Sequence, residues 1–231
     1  MGLGLVGAQH VVPDSATLAD ITPVARLVEE PEAFVVRRDS PLRTMADLTA
    51  AWLKAPVDLA VGGGSTTGGP DHLAPMLVAQ ALGVPPRSVK YVRYDGGGTL
   101  LAAALAGRVA VAVSSLGEYA QQIVSGQLRV LAVTGAARTP GVDAPTLREA
   151  GIDVVFLNWR GLVAPPGLSA NDERRLSGIA EQLHASRAWQ DTVARNPWAD
   201  AYLPGAAFGT FLRDADALRS RTLASLGLAA G

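Results

Sequence analysis

The chain has 231 residues, of which 48% are hydrophobic and 18% are charged, and its formal net charge is -1. The near-neutral charge and the lack of any Lys/Arg run argue against a nucleic-acid partner. The chain contains no cysteine, which excludes disulfides, thiol nucleophiles and cysteine-ligated metals. No apolar run is long enough to span a membrane, and the chain shows no signal-peptide pattern. The composition is that of a globular protein of one large domain or two small ones.

The chain opens with MGLGLVGAQH, whose glycines have the Gly-x-Gly-x-x-Gly spacing of a dinucleotide-binding turn. That turn needs a strand before it and a helix after it. Only Met1 precedes the first glycine, and two prolines interrupt the segment that follows. We therefore interpret residues 3–8 as an apolar strand that leads into a loop. A strand at this place predicts an unpaired sheet edge, which is either exposed or covered by another copy of the chain.

Residues 57–134 predict short apolar strands that alternate with helices. The predicted strands are VDLAVGGG, VKYVRY, VAVAVSS and LRVLAVTG, and the predicted helices are DHLAPMLVAQALG, GTLLAAALAG and GEYAQQIVSG. This alternation indicates βαβ units and a parallel sheet. On either side we expect strands at 32–39 and within 154–167, a helix that Ser169 caps, and a final amphipathic helix from about residue 206.

Three predicted loops share one position, between the end of a strand and the start of a helix. They cover residues 62–72, 94–99 and 114–118 and are rich in Gly, Ser and Thr. Ligands bind at this edge of an open parallel sheet, and helix N-termini there favour anions. The loops therefore predict a pocket for a small carboxylate or phosphate. The alternative is that the glycines form tight turns only.

The first loop contains partial matches to two enzyme motifs. A P-loop needs lysine where the chain has Gly69, and a nucleophile elbow that contains Ser65 needs glycine where the chain has Thr67. Asp71 and His72 are neighbours in sequence, a poor arrangement for a catalytic triad with Ser65. We interpret His72 as a support for the loop, and we predict no catalytic residue, metal or cofactor.

Trp159 and Arg160 lie in the predicted strand NWRGLVAPP. A guanidinium among apolar neighbours needs either solvent or a partner, so Arg160 points outward or reaches the pocket to bind an anion. The Trp159 ring belongs either to the core or to the wall of the pocket. The residues themselves leave both alternatives open.

The ordered segments resemble one family, the tripartite tricarboxylate transporter substrate-binding proteins, called TctC or Bug. The segments that carry the resemblance are ITPVARLVEEPEAFVVRRDSPLRTMADL, DHLA, VRYDGGGTLLAAALAGRVAVAVSS, LRVLAVTGAAR, APTLREAGID and NWRGLVAPPG, in that order. The resemblance implies a type II periplasmic-binding-protein fold, in which two parallel-sheet α/β domains enclose a cleft. It assigns residues 1–40 and 157–231 to the first domain and residues 41–156 to the second.

The resemblance also implies a function and a set of site residues. The function is extracytoplasmic capture of a small carboxylate, which then passes to a membrane permease. The candidate ligand-binding residues are Gly7, Ala8, Ser65, Thr66, Thr67, Gly68, Gly69, His72, Asp95, Gly96, Gly97, Gly98, Ser114, Trp159 and Arg160. Asp95 departs from the family, where many members have lysine, and Arg160 stands where many have an aromatic residue.

Two further expectations follow from the resemblance. The family begins upstream of this chain, with a signal peptide, two strands and a glycine-rich loop, so residues 3–8 match its third strand and the site's first half is missing. The chain would then bind its ligand more weakly than a full-length protein does, and one alternative is a folded fragment that does not bind. The alternative function is an α/β enzyme that acts on a small carboxylate or phosphate ester.

Overall fold

A computed structural model of the chain describes residues 1–11, 14 and 16–228. Its central feature is a 16-residue strand, β1 (Thr22–Arg37), that runs through two sheets. Up to Pro31, β1 pairs antiparallel with β6 (Leu157–Ala164) and β7 (Ala199–Pro204). From Glu32 onward it pairs antiparallel with β4 (Val111–Ser115) and β5 (Leu128–Val133). Because the pairing partners change at Pro31, β1 joins two lobes.

Lobe 2 is the part of the chain from Glu32 to Phe156. Besides β4 and β5 it contains α2 (Met45–Lys54), β2 (Val61–Gly63), α3 (Pro70–Ala81), β3 (Tyr91–Arg93), α4 (Gly97–Leu105) and α5 (Ala120–Val124). The strand order in its sheet is β3-β2-β4-β1-β5, and β2 is parallel to both neighbours. The predicted βαβ units are therefore confirmed, and the strand predicted at 32–39 is the second half of the longer antiparallel strand β1.

The core of lobe 2 follows from the amphipathic pattern of its helices. Leu48 and Trp52 lie one turn apart on α2 and are fully buried, together with Leu73 and Met76 of α3. The α2 helix begins at a capping box, in which Thr44 and Asp47 each accept a hydrogen bond from the other's backbone N–H. These contacts hold the sheet and its loops in place.

Lobe 1 consists of the remaining described elements. They are α1 (Leu3–Ala8), a 3₁₀ helix (Leu18–Asp20), the first half of β1, β6, α6 (Ala170–Ala185), α7 (Arg187–Arg195), β7 and α8 (Gly205–Ser225). The far end of α8 crosses to lobe 2, where Leu223 is buried in the core. Among the described residues, no helix is both long and apolar enough to cross a membrane.

The predicted strand over residues 3–8 is wrong, because these residues form α1. Leu3 and Val6 lie one turn apart and pack against Trp159 and Phe208, so a helical face buries the apolar side chains. A short apolar run does not distinguish a strand from a buried helix. Only the first two residues run beside β6, where the N–H of Gly161 donates to the Met1 carbonyl at 2.9 Å. The edge proposed to pair with another copy is therefore not formed by residues 3–8.

Candidate functional site

The three predicted loops contact one another in the structure. They follow β2, β3 and β4, three neighbouring strands that run parallel in the sheet of lobe 2. The first loop leads into α3 at Pro70, the second into α4 at Gly97, and the third forms a 3₁₀ helix, Leu116–Tyr119. The N–H of Gly96 in the second loop donates to the carbonyl of Gly64 in the first, at 3.1 Å.

Asp71 occupies much of the hydrogen-bonding capacity of the first loop. Its carboxylate accepts from the Gly64 N–H at 2.8 Å and from the Ser114 hydroxyl at 3.0 Å. The Asp71 N–H in turn donates to the Ser65 hydroxyl at 3.1 Å. Burial raises the pKa of the Asp71 carboxyl, while these hydrogen bonds oppose the shift. Sequence reasoning did not assign this role to Asp71.

Glu118 places a second carboxylate of the chain at the start of α4. Its Oε2 accepts from the Ser114 hydroxyl at 2.8 Å. The carboxylate also lies directly against Gly97, where even a Cβ would overlap it. Ser114 has one proton and can donate to Asp71 or to Glu118, but not to both at once. The predicted anion position at this helix N-terminus is thus already close to a negative charge.

Arg160 reaches toward the boundary between the lobes and pairs with Glu30. The Nη2 of Arg160 lies 3.2 Å from Oε1 of Glu30, whose other oxygen accepts from the Trp198 indole N–H at 3.1 Å. Glu30 is buried, and burial raises the pKa of its carboxyl although Arg160 acts in the opposite direction. Glu30 also approaches Gly117 of the third loop. Glu30 therefore contacts both Arg160 of lobe 1 and the third loop of lobe 2.

Glu32 joins the lobes where β1 passes between the two sheets. Its Oε1 accepts from the Ser115 hydroxyl at 3.1 Å and from the Asn158 amide at 3.2 Å. Ser115 belongs to lobe 2 and Asn158 to β6 of lobe 1. Glu32 is fully buried, and its second oxygen has no hydrogen-bond partner among the residues that the structure describes. Burial, reinforced by the nearby carboxyls of Asp71 and Glu30, raises the pKa of Glu32 well above its ordinary value.

His72 supports the glycine-rich loop, as the sequence suggests. Its Nδ1 accepts a hydrogen bond from the Gly68 N–H at 3.2 Å, so this nitrogen carries no proton. Its ring makes an edge contact with Tyr91 at 4.7 Å between centroids. Burial lowers the pKa of His72 to about 4. No hydrogen bond joins Ser65 to His72 among the described residues.

The remaining predicted site residues differ in their exposure to solvent. Thr67, Asp95, Gly96 and Gly98 are exposed, whereas Gly68 and Gly69 are buried. Ser65, Thr66, Gly97 and Ala8 are partly exposed, and Gly7 is buried against Gly68. Gly68 and Gly96 have φ of +81° and +82°, conformations that favour glycine.

The structure places Trp159 in the core of lobe 1 rather than at the wall of the pocket. Its ring is 3% exposed and makes edge contacts with Phe208 and Phe211, at 5.6 and 5.4 Å between centroids. Side chains alternate along a strand, so Trp159 and Arg160 point to opposite faces of β6. Of the two neighbours, Arg160 is the one that faces the boundary between the lobes.

A cavity of about 630 Å³ also lies between the lobes, near the third loop. Leu116 and Ile123 of lobe 2 and Leu157 and Trp198 of lobe 1 contribute to its lining. None of the residues predicted from the sequence lines this cavity. In the part of the chain that the structure describes, no group of three or more His, Asp or Glu side chains is arranged to hold a metal ion.

The two lobes joined by β1, with loops converging at the strand ends, define a two-lobed α/β binding protein. The family model described as "Tripartite tricarboxylate transporter family receptor", TctC, matches residues 12–202. The chain belongs to this family, and the predicted resemblance is confirmed. A protein from the gbd 5′ region of Cupriavidus necator is 27% identical over 91% of this chain. The chain spans only 63% of the length of that relative.

Solved structures agree on the fold. A TctC solute-binding protein from Polaromonas is 26% identical, with a TM-score of 0.70 over 97% of this chain and 76% of its own. The periplasmic binding protein BugD has 20% identity and a TM-score of 0.89 over 99% and 77%. MatC from Rhodopseudomonas palustris, solved with bound malate, has 20% identity and a TM-score of 0.83 over 96% and 77%. The predicted two-lobed α/β fold class is therefore confirmed, although parallel pairing is found in lobe 2 and the described strand pairs of lobe 1 are antiparallel. The domain limits and the site residues stay predictions.

Proposed function

We propose that this protein is an extracytoplasmic solute-binding protein that captures a small carboxylate and delivers it to the permease of a tripartite transporter. Membership of the TctC family supports this proposal, as does the malate bound to MatC. The observation that carries it is the convergence of three strand-to-helix loops of lobe 2 opposite Arg160 of lobe 1. Such loops supply N–H groups, and a guanidinium supplies a bidentate donor for a carboxylate.

We further propose that the protein binds its ligand without chemical conversion. Ser65 and His72 both accept hydrogen bonds from backbone N–H groups of their own segment. A hydrolase would instead need the serine to donate to the histidine, with a third group that orients the ring.

The acidic groups restrict the charge of the ligand. Asp71 and Glu118 take up donors at the first and third loops, and Glu30 partly neutralises Arg160. Each further negative charge on a ligand meets repulsion from these carboxylates. A ligand with one carboxylate near Arg160 and hydroxyl or other donor groups toward Glu118 fits this arrangement better than a tricarboxylate does.

The experiment is isothermal titration calorimetry of the 231-residue chain with malate, succinate, adipate and citrate. We expect one site per chain, with malate preferred over citrate. Arg160→Gln should weaken malate binding at least tenfold, since it removes the guanidinium. Arg148→Gln is the matched control, because Arg148 is exposed and pairs with Asp153 at 2.8 Å, away from these loops. No heat from any carboxylate, or equal affinity in both variants, would contradict the proposal.

A further inference from the structure

The last glycine of the opening motif, Gly7, makes a backbone contact between the lobes. It lies in the last turn of α1, and a Cβ at this position would overlap the carbonyl group of Gly68 in the first loop of lobe 2. In the reverse direction, a Cβ on Gly68 would lie 3.2 Å from the Gly7 carbonyl oxygen. The two backbones therefore meet with no room for a side chain at Gly7.

Both partners in this contact are held firmly by their own lobes. Leu3 and Val6 fix α1 in the core of lobe 1, and His10 at its end bonds to Asp216 of α8 at 2.6 Å. On the other side, the Gly68 N–H donates to His72. A methyl group at Gly7 therefore fits only if α1 and the first loop move away from each other. The methyl group would therefore push the lobes apart.

Helix stability does not explain the glycine at position 7. Glycine costs about 1 kcal/mol relative to alanine inside a helix. Gly4 lies in the same helix, and a Cβ there would meet no described residue within 4 Å. Of these two positions, only position 7 requires glycine for steric reasons, because a Cβ there would overlap Gly68 of the opposite lobe. The opening glycines thus do not serve a dinucleotide: one of them serves the fit between the lobes.

We propose that Gly7 is a positioning residue, whose contact with Gly68 sets the closed arrangement of the lobes and seats the glycine-rich loop over the bound ligand. The proposal rests on the proposed function for its ligand, but the lobe arrangement itself is measurable without one. If an added methyl group reduced the closed fraction to about a tenth, the apparent Kd would rise about tenfold.

The experiment compares Gly7→Ala with the matched control Gly4→Ala. Because the chain has no cysteine, two can be introduced at exposed positions on opposite lobes, at Lys54 and Arg175, and labelled with spin probes. The distribution of distances between the two spin labels is then measured by pulsed electron paramagnetic resonance, without ligand and with saturating malate. We expect the wild type and Gly4→Ala to give the same short distance and Gly7→Ala to give a longer one in both conditions, with unchanged far-UV circular dichroism.

Binding and coupling provide the second readout. Malate affinity, measured by calorimetry, should fall about tenfold in Gly7→Ala and stay unchanged in Gly4→Ala. Gly68→Ala also strains its own backbone, but its effect on the distance should not add to that of Gly7→Ala, because both remove the same contact. Equal distances in Gly7→Ala and Gly4→Ala, or loss of the folded spectrum in Gly7→Ala, would overturn the proposal. Failure of malate to bind would contradict the proposed function alone, since the ligand-free distances still test the contact.

Discussion

Replacing His72 with asparagine should remove a specific dependence of stability on pH. Burial lowers the pKa of His72 from 6.5 to about 4 in the folded protein, so the folded state favours the neutral ring. This contribution to stability is fully present above pH 6.5 and is lost as the pH falls through about 4. A shift of this size corresponds to about 3 kcal/mol, or about 6–12 °C in Tm for a chain of this length. The asparagine oxygen can still accept from the Gly68 N–H but does not titrate.

The assay is urea unfolding of the wild type and His72→Asn at intervals from pH 7.5 to 4. The difference between the two free energies of unfolding isolates the histidine, because the buried carboxyls are common to both proteins. Loss of the ring contact with Tyr91 gives a constant offset at every pH. We expect the wild type to lose up to about 3 kcal/mol relative to the variant as the pH falls. A difference that does not change with pH would refute the assignment of a buried, neutral His72.

Three further substitutions test other parts of the account. In urea unfolding, the stability of Glu32→Gln relative to the wild type should increase as the pH rises from 5 to 8. The reason is that the raised pKa of the folded Glu32 carboxyl destabilises the wild type at pH values above the pKa of the unfolded chain; a difference that stays constant with pH would contradict this. Glu118→Gln should strengthen succinate binding in calorimetry by up to about fivefold, since it removes an exposed negative charge, and unchanged or weaker binding would contradict this reasoning. Trp159→Ala should cost about 3–5 kcal/mol in chemical unfolding as a core residue, whereas a cost below about 1 kcal/mol would suit a pocket wall.

The sequence predicts lobe 2 well because its signals are local. The alternating strands and helices and the glycines after each strand depend on residues close together in the chain. Loop positions follow from this alternation, so the convergence of the three loops could be expected before the structure was known. The family resemblance supplied the two-lobed architecture, which periodicity alone does not give.

Contacts between distant segments explain what the sequence did not reveal. Glu32 is 83 positions from Ser115 and 126 from Asn158, yet the three meet where β1 changes sheets. The apolar run at residues 3–8 is too short for its period to be read, and packing against Trp159 decides in favour of a helix. The partner of Arg160 could not be chosen either, because Glu30 reaches it only through the pairing of β1 with β6.

The most direct test of the central claim is hydrogen exchange of the chain with and without saturating malate, read by mass spectrometry. We predict that amides in residues 64–69, 95–98 and 114–118 become protected together with those around Arg160, because one carboxylate bridges the two lobes. Protection confined to the segments that line the 630 Å³ cavity, such as residues 135–142 and 193–199, would place the ligand elsewhere. That result, or no protection at saturation, would contradict the account.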